Sequence, residues 1–452
     1  ARHNSDVFAR DTAEIMSGAG FQTMITSGPL PTPVVAFGIR HLGCVAGVVI
    51  TASHNPPQDN GYKVFLGDGS QIVPPADAEI SSRIDEVAKQ SLDDVPRSQS
   101  YAVLGDELVA AYLNRIAFLV PPDGPRELRW VYTPLHGVGG SLVERAVKAC
   151  RFPAAYVVAE QAEPDPRFPT VAFPNPEEPG AIDLALSRAQ QTHADLVIAN
   201  DPDADRCAIA AVIDGRWRML SGDELGVLLG EDALRRGVRG VYACSIVSSS
   251  LLSVIAAAYG QPFVNTLTGF KWIGRVPGLA YGYEEAIGYC VDPEAVPDKD
   301  GISALIRVLA LAAGLKAEGL SVADRLDEIA CRYGVYETDQ LSVRVQDPKG
   351  ITTAMARLRA QPPQMLAEQP TSIVDLAHGT DELPPTDAVL ITGETIKVVV
   401  RPSGTEPKLK CYLEAHLSVP RDVDVVATRS QARSMLATMR SEMSAALGLD
   451  PL

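Results

Sequence analysis

The stretch Leu196-Val197-Ile198-Ala199-Asn200-Asp201-Pro202-Asp203-Ala204-Asp205-Arg206 sends an apolar strand directly into an Asp-x-Asp-x-Asp turn. Working outward, similar apolar, β-rich runs recur at Val45 to Thr51, Trp130 to Thr133 and Val241 to Ile246. Helical patterns are interleaved with them at Asp106 to Leu119, Ala181 to Gln190, Glu224 to Arg235 and Ser248 to Tyr259. That alternation predicts mixed α/β layers with substantially parallel sheets. Three of the strands end on polar or Gly-rich loops: Ala52-Ser53-His54-Asn55-Pro56, Pro134-Leu135-His136-Gly137 and the aspartate turn. In open α/β sheets such carboxyl-end loops are where ligands bind.

The last ~115 residues read differently, as a small α+β domain. Leu341 to Val345, Thr395 to Val400 and Leu409 to Ala415 are strand-like, and a helix is expected from about Val423 to Leu447. Met435, Met439 and Met443 at i, i+4 spacing on that helix read as core packing. Residues 151–180 hold seven prolines and form an extended segment, a linker or a loop framing a cleft.

Composition narrows the function. The 452 residues are 46% hydrophobic and 21% charged, which is globular rather than disordered. A net charge of −16 disfavours nucleic acid and anionic membrane as partners, and no apolar run reaches membrane-spanning length. The seven scattered cysteines include no C-x-x-C pair, so a reducing, cytoplasmic setting is expected. The chain opens Ala-Arg-His-Asn-Ser with no preceding strand, so further N-terminal sequence is expected.

Four constellations could carry chemistry. Asp201, Asp203 and Asp205 alternate on a tight turn and can converge on one hard cation, with Mg²⁺ the natural choice for oxygen ligands. Arg206 beside them suits a phosphate. Thr51-Ala52-Ser53-His54-Asn55-Pro56, followed by Asn60-Gly61-Tyr62-Lys63, puts a serine on a loop leaving a strand. That hydroxyl is a nucleophile, a phosphate carrier or the cap of its own turn; no Gly-x-Ser-x-Gly elbow surrounds it. Asp68-Gly69 then reads as a hairpin turn. Arg401-Pro402-Ser403-Gly404-Thr405-Glu406-Pro407-Lys408 suits a phosphate monoester or is a solvated turn, and lacks the Walker A pattern. Gly282-Tyr283-Glu284-Glu285-Ala286-Ile287-Gly288 is a Gly-bounded acidic loop that could accept sugar hydroxyls or start a helix. Thr268-Gly269-Phe270-Lys271 and Asp298-Lys299-Asp300-Gly301 flank it.

Together and in this order, these blocks resemble the α-D-phosphohexomutase family, from about residue 1 to about residue 416. The resemblance implies an α/β fold of three related mixed α/β domains plus a C-terminal α+β domain around a central active-site cleft. The expected boundaries are 1–121 (phosphoserine loop), 122–221 (metal loop), 222–335 (sugar loop) and 336–452 (phosphate loop). It implies that Ser53 is the phosphoserine and that Asp201, Asp203, Asp205 and a Ser53 phosphate oxygen bind Mg²⁺. His54, Lys63 and Arg206 are implied as catalytic. Lys271, Glu284, Glu285, Arg401, Ser403, Gly404 and Thr405 are implied to bind substrate, a phosphorylated monosaccharide. A sugar bisphosphate is the implied intermediate and activator, and the enzyme is expected as a monomer or dimer.

Two departures bear on the substrate. The family's N-terminal Gly-Thr/Ser-Gly-x-Arg segment and opening strand are absent. Where many hexose enzymes have Glu-x-Ser-Gly-His, this chain has Glu284-Glu285-Ala286-Ile287-Gly288, so Gly288 is expected to leave space where they place a histidine. That variant is similar to the branch with phosphopentomutases and some bacterial phosphomannomutases. The expected reaction interconverts hexose 1-phosphate and 6-phosphate, of mannose or glucose. The alternatives are a phosphopentomutase, an inactive binding protein, or a Mg²⁺ phosphatase with an aspartate nucleophile, in which Ser53 has no role.

Overall fold

A computed structural model describes residues 2–344, 348–404, 408–420 and 424–448, and the chain divides into two compact units. The first comprises Ala1–Val241 and Phe270–Ala323, the second Tyr242–Gly269 and Asp324–Leu452. Among the described residues no helix is long and apolar enough to cross a membrane.

The first unit opens with helix α1 (Ser5–Gly18), strand β1 (Met24–Thr26) and helix α2 (Thr32–His41). Strands β2 (Ala46–Ile50) and β3 (Tyr62–Leu66) pair antiparallel with Val49 opposite Lys63. The expected Asp68-Gly69 turn is present: Gly69 N–H donates to the Leu66 carbonyl and Phe65 bridges to Gln71. Helix α3 (Ala76–Val87), strand β4 (Ala102–Leu104), parallel to β1, and helix α4 (Glu107–Ala117) follow.

A five-stranded sheet positions the acidic turn. Its order is β6-β5-β7-β8-β9, from β5 (Trp130–Thr133), β6 (Tyr156–Val157), β7 (Leu196–Ala199), β8 (Ala208–Ile213) and β9 (Arg216–Met219). β6, β5 and β7 are parallel, with Trp130 beside Leu196; every residue of β5 and β7 is buried. Burial on both faces explains their unbroken apolar runs. Helices α5 (Gly140–Ala149) and α6 (Asp183–Thr192) belong to the same layered region. Helix α7 (Gly222–Arg235) starts on a capping box in which the Ser221 hydroxyl and Glu224 carboxylate each accept a backbone N–H.

In the Tyr242–Gly269 segment of the second unit, strands β10 (Val241–Ser245) and β11 (Phe263–Thr266) pair in parallel and are joined through helix α8 (Leu251–Ala258); Phe270–Ala323 return to the first unit. Helix α9 (Phe270–Ile273) precedes β12 (Leu279–Glu284) and β13 (Gly288–Cys290), an antiparallel hairpin. Helix α10 (Gly301–Ala317) is capped by the Asp300 carboxylate, which accepts from Ile302 and Ser303 N–H.

In the second unit, β14 (Val335–Arg344) edges a five-stranded sheet in the order β14-β20-β19-β18-β17. Between β14 and its sheet partners in sequence lie helix α12 (Pro348–Ala360), which follows α11 (Val322–Tyr333), and the β15–β16 hairpin (Met365–Leu366, Gln369–Pro370). The other strands are β17 (Ser372–Asp375), β18 (Val389–Thr392), β19 (Ile396–Pro402) and β20 (Lys408–Leu417), antiparallel throughout. Helix α13 (Val425–Leu447) lays Met439 and Met443, both 0% exposed, into this sheet's core with Met435 packed beside them, as the spacing predicts.

Candidate active site

β7 ends at Ala199 and the chain turns sharply, with Ala204 in the left-handed region (φ 53°), so that three carboxylates face one another. Asp201, Asp203 and Asp205 are 0%, 3% and 1% exposed, and one oxygen of each lies within 4.8 Å of the others. Arg206 N–H donates to Asp201 Oδ1 at 3.0 Å, and Thr32 Oγ1 donates to Asp203 Oδ2 at 2.7 Å. Lys63 Nζ, from β3, donates to Asp203 Oδ2 at 2.7 Å and Asp205 Oδ2 at 2.8 Å. The remaining oxygens, Asp203 Oδ1 and Asp205 Oδ1, are buried and accept no hydrogen bond. Buried carboxylate oxygens without donors are costly unless a cation meets them. A hard divalent ion such as Mg²⁺ therefore fits this donor set.

The electrostatics agree. Burial, with Asp203 and Asp205 close by, pushes the Asp201 carboxyl well above its ordinary range. Burial acts on Asp203 in the same direction, but the Lys63 ammonium together with hydrogen bonds from Lys63, Asp201 and Thr32 outweighs it and holds Asp203 far below. Lys63, despite its own burial, is kept charged by Asp203 and Asp205.

Ser53 faces this cluster. Its Oγ donates to Asp201 Oδ2 at 2.9 Å and stands 3.2 Å from His54 Nδ1. The backbone at Ser53 is left-handed (φ 49°), an unusual conformation for a residue with a side chain, and its N–H is tied to Thr51 Oγ1 at 2.9 Å. Gly61 lies so close that a Cβ there would sit 2.4 Å from the Thr51 carbonyl oxygen. Arg2 clamps the loop from outside: its guanidinium donates to the carbonyls of Ser53, Asn55 and Pro56 and lies 4.8 Å over the Phe168 ring. His54 is held neutral, its pKa lowered by burial and then by Arg206 and Lys63. A hydroxyl beside a neutral imidazole and a metal-type carboxylate cluster can carry a phosphoryl group.

The acidic loop carrying Glu284 is the β12–β13 hairpin turn, not a helix start. It is bolted to the aspartate turn: Arg206 Nη1 donates to Ala286 O at 2.9 Å, Cys207 N–H donates to Ile287 O at 3.1 Å, and Arg206 bridges to Gly288. Glu284 is 8% exposed, and burial raises its pKa against the pull of Lys299 and Arg206. Glu285 stands at the half-exposed turn with its carbonyl against Gly222. The vacancy expected beside Gly288 is filled. A Cβ there would lie 2.3 Å from Lys299 Cδ, because the lysine stem packs across the glycine. Lys299 Nζ then reaches Asp205 at 3.6 Å, Asp298 at 3.7 Å and Glu284 at 3.9 Å, over the Phe270 ring.

Ser53, His54, Lys63, Asp201, Asp203, Asp205, Arg206 and Glu284 are thus brought together, whereas Lys271 lies on α9 with its ammonium 5.8 Å from the Trp272 ring centre. In the second unit, Arg401 lies next to the end of β19, opposite Lys410, and Ser403 N–H donates to Lys408 O at 2.8 Å. Among the described residues a Cβ at Gly404 would meet nothing within 4 Å; Thr405 lies outside them. Arg2, Thr32 and Lys299 carry contacts that sequence reasoning did not assign. Only Lys299 left a signal, in Asp298-Lys299-Asp300-Gly301.

Family models described as phosphoglucomutase/phosphomannomutase, alpha/beta/alpha domains I, II and III, match residues 1–91, 110–212 and 221–333. The C-terminal domain model of the same family matches 341–428. A protein of Haemophilus influenzae named "Probable phosphomannomutase" is 46% identical over 94% of this chain and 88% of its own length. The Homo sapiens phosphopentomutase is 37% identical over 90% of this chain and 74% of its own. The fold matches a Paramecium phosphoglucomutase crystallised in an open form (TM-score 0.75, 18% identity, 99% of this chain and 87% of that one). With all four domain models in order and a relative at this identity, the chain belongs to the phosphoglucomutase/phosphomannomutase family of intramolecular phosphotransferases.

Proposed function

We propose that this protein is a Mg²⁺-dependent phosphosugar mutase that interconverts hexose 1-phosphate and hexose 6-phosphate, of mannose, glucose or both. The observation that carries the reading is the 2.9 Å hydrogen bond from Ser53 Oγ to Asp201, within the buried carboxylate cluster. Phosphorylated Ser53 gives its phosphoryl group to a free sugar hydroxyl: the Oγ–P bond breaks and an O–P bond to the sugar forms. The hydroxyl proton has a neutral acceptor in His54, which can return it to the departing Ser53 Oγ 3.2 Å away. Lys63 and Arg206 place positive charge around the transferring group. Asp201, Asp203 and Asp205 would hold Mg²⁺, which when bound neutralises charge on the phosphoryl oxygens. The resulting bisphosphate turns over and returns its other phosphate to Ser53. Glu284 reads sugar hydroxyls, and Arg401, Ser403 and Thr405 take the phosphate that is not reacting.

A second reading, phosphopentomutase, is favoured by the 37% identity to the human enzyme of that name. Intact mass of the purified chain tests the chemistry: a single phosphate should be present, lost on adding substrate and absent from Ser53→Ala. A chain that turns over without Ser53 phosphate overturns it. Side-by-side kcat/KM on the 1-phosphates of mannose, glucose, ribose and deoxyribose, with the matching bisphosphate, separates hexose from pentose.

A further inference from the structure

The acidic turn alternates ligands and spacers: Asp201, Asp203 and Asp205 converge, while Pro202 and Ala204 point elsewhere. Each spacer is packed against one glycine of a different turn, Thr133 to Gly139, at the end of the neighbouring strand β5. A Cβ at Gly137 would lie 2.4 Å from Pro202 Cα and 2.5 Å from its carbonyl oxygen. A Cβ at Gly139 would lie 2.9 Å from Ala204 Cβ. Gly139 has φ −73° and ψ −26°, which any residue adopts, so what demands glycine is space rather than conformation. Between the two contacts, Val138 N–H donates to Pro202 O at 2.9 Å.

The supporting turn is stiff. Leu135 and His136 are consecutive left-handed residues (φ 46° and 57°), a strain that persists only where surroundings fix it. His136 N–H donates to Gln161 O, His136 O accepts from Asp165 N–H, and the imidazole Nε2 lies 2.8 Å from Thr170 Oγ1. Thr133 Oγ1 donates to Gln161 Oε1 at 2.6 Å and accepts from Leu135 N–H. When a side chain is forced between the turns, the acidic loop must yield, and its carboxylates move with it.

We propose that Gly137 and Gly139 are positioning residues for the cation site, setting the spacing of the three carboxylates through Pro202 and Ala204. This rests on the metal reading of the triad. Close packing transmits a displacement of a few tenths of an ångström, and cation sites are sensitive to ligand geometry.

The test is direct Mn²⁺ binding to the full chain, by electron paramagnetic resonance of the free ion, beside melting temperature. Gly139→Ala should raise the Mn²⁺ Kd at least tenfold. Adding Ala204→Gly removes the nearest atom that the new methyl meets, leaving the Tyr132 hydroxyl at 3.1 Å and Asn200 Oδ1 at 3.9 Å, and should bring Kd back within about threefold of the parent, or restore folding if the single variant does not fold. Leu142→Ala, on the buried face of α5 three residues beyond Gly139, should lower the melting temperature with Kd unchanged. Gly139→Ala binding within twofold of the parent, equal weakening by Leu142→Ala, or no rescue by Ala204→Gly would overturn the proposal. A parent whose Mn²⁺ binding is absent or survives Asp203→Asn and Asp205→Asn overturns the metal reading beneath it.

Discussion

Lys63 Nζ lies 2.7 Å from Asp203 Oδ2 across 140 residues of sequence, and the same ammonium lies 2.8 Å from Asp205. The protein thus places one of its own cations on the carboxylates that a divalent ion would use. Removing one partner of a buried pair costs about 3–5 kcal/mol because the other charge is left unmatched. Lys63→Met should therefore melt well below the parent in chelator. Mg²⁺ should raise its melting temperature by more than it raises the parent's, since ligand binding stabilises by mass action and the competitor is gone. Equal shifts in the two proteins would show that Lys63 and the metal do not compete for the charge of these carboxylates.

Ser53 offers a separation of stability from activity. Its left-handed backbone costs about 1–3 kcal/mol for a residue with a Cβ, and glycine relieves it. Ser53→Gly loses the hydroxyl bond to Asp201 yet should melt at or above the parent while losing several orders of magnitude in turnover. Calorimetry and a coupled mutase assay measure both. Turnover within tenfold of the parent would remove Ser53 from the chemistry.

What could be read from sequence follows from how local each signal is. β5 at Trp130–Thr133 and the strand feeding Asp201 are short apolar runs bounded by loop residues, and both are found where expected. The strand read from Leu341 begins six residues earlier, at Val335, because Tyr336 to Gln340 is polar and lies on the edge strand β14, where water can meet one side. Helix α1 buries only Ala13 and leaves Val7, Phe8 and Met16 exposed, so its apolar residues form no clear core-facing stripe for periodicity to pick out. In the site, Ser53 and the aspartates stood out as motifs. Arg2 and Thr32 did not, because their partners lie 51 to 54 and 171 residues away. The stem of Lys299 across Gly288 was equally invisible, being a matter of packing between separate elements.

Asp300 supplies a pH signature. This buried carboxyl caps α10 and accepts from Tyr112; burial pushes its pKa up to about 6 against those hydrogen bonds. The folded state therefore holds this proton more tightly than the unfolded chain, whose carboxyl titrates near 4. Its contribution is fully present below about pH 4 and is lost as pH rises through 6, a change of about 3 kcal/mol. Asp300→Asn keeps a capping oxygen without the charge. The difference in unfolding free energy between the two proteins should change over pH 4–6 and be level above 7. A constant difference would mean Asp300 is ionised throughout.

The β12–β13 hairpin gives the sharpest test of selectivity. Gly288 has no room for a side chain, so Gly288→His should displace Lys299 and damage the acidic cluster rather than mimic a hexose-type pocket. Ala286 is different: it is half-exposed at the turn, and its carbonyl, not its methyl, is held by Arg206. Ala286→Ser therefore adds a hydroxyl without breaking the contact that fixes the hairpin. One net hydrogen bond is worth about 0.5–1.5 kcal/mol, or roughly two- to tenfold in kcat/KM. The parent should use glucose and mannose 1-phosphates comparably, with some activity on ribose or deoxyribose 1-phosphate. Ala286→Ser should favour one hexose by that factor and leave the pentoses unchanged, because a site that reads a hydroxyl discriminates against substrates that do not present it. A parent preference above about a thousandfold for a single hexose would remove the premise. An equal gain or loss on all four sugars would show that residue 286 does not face the substrate.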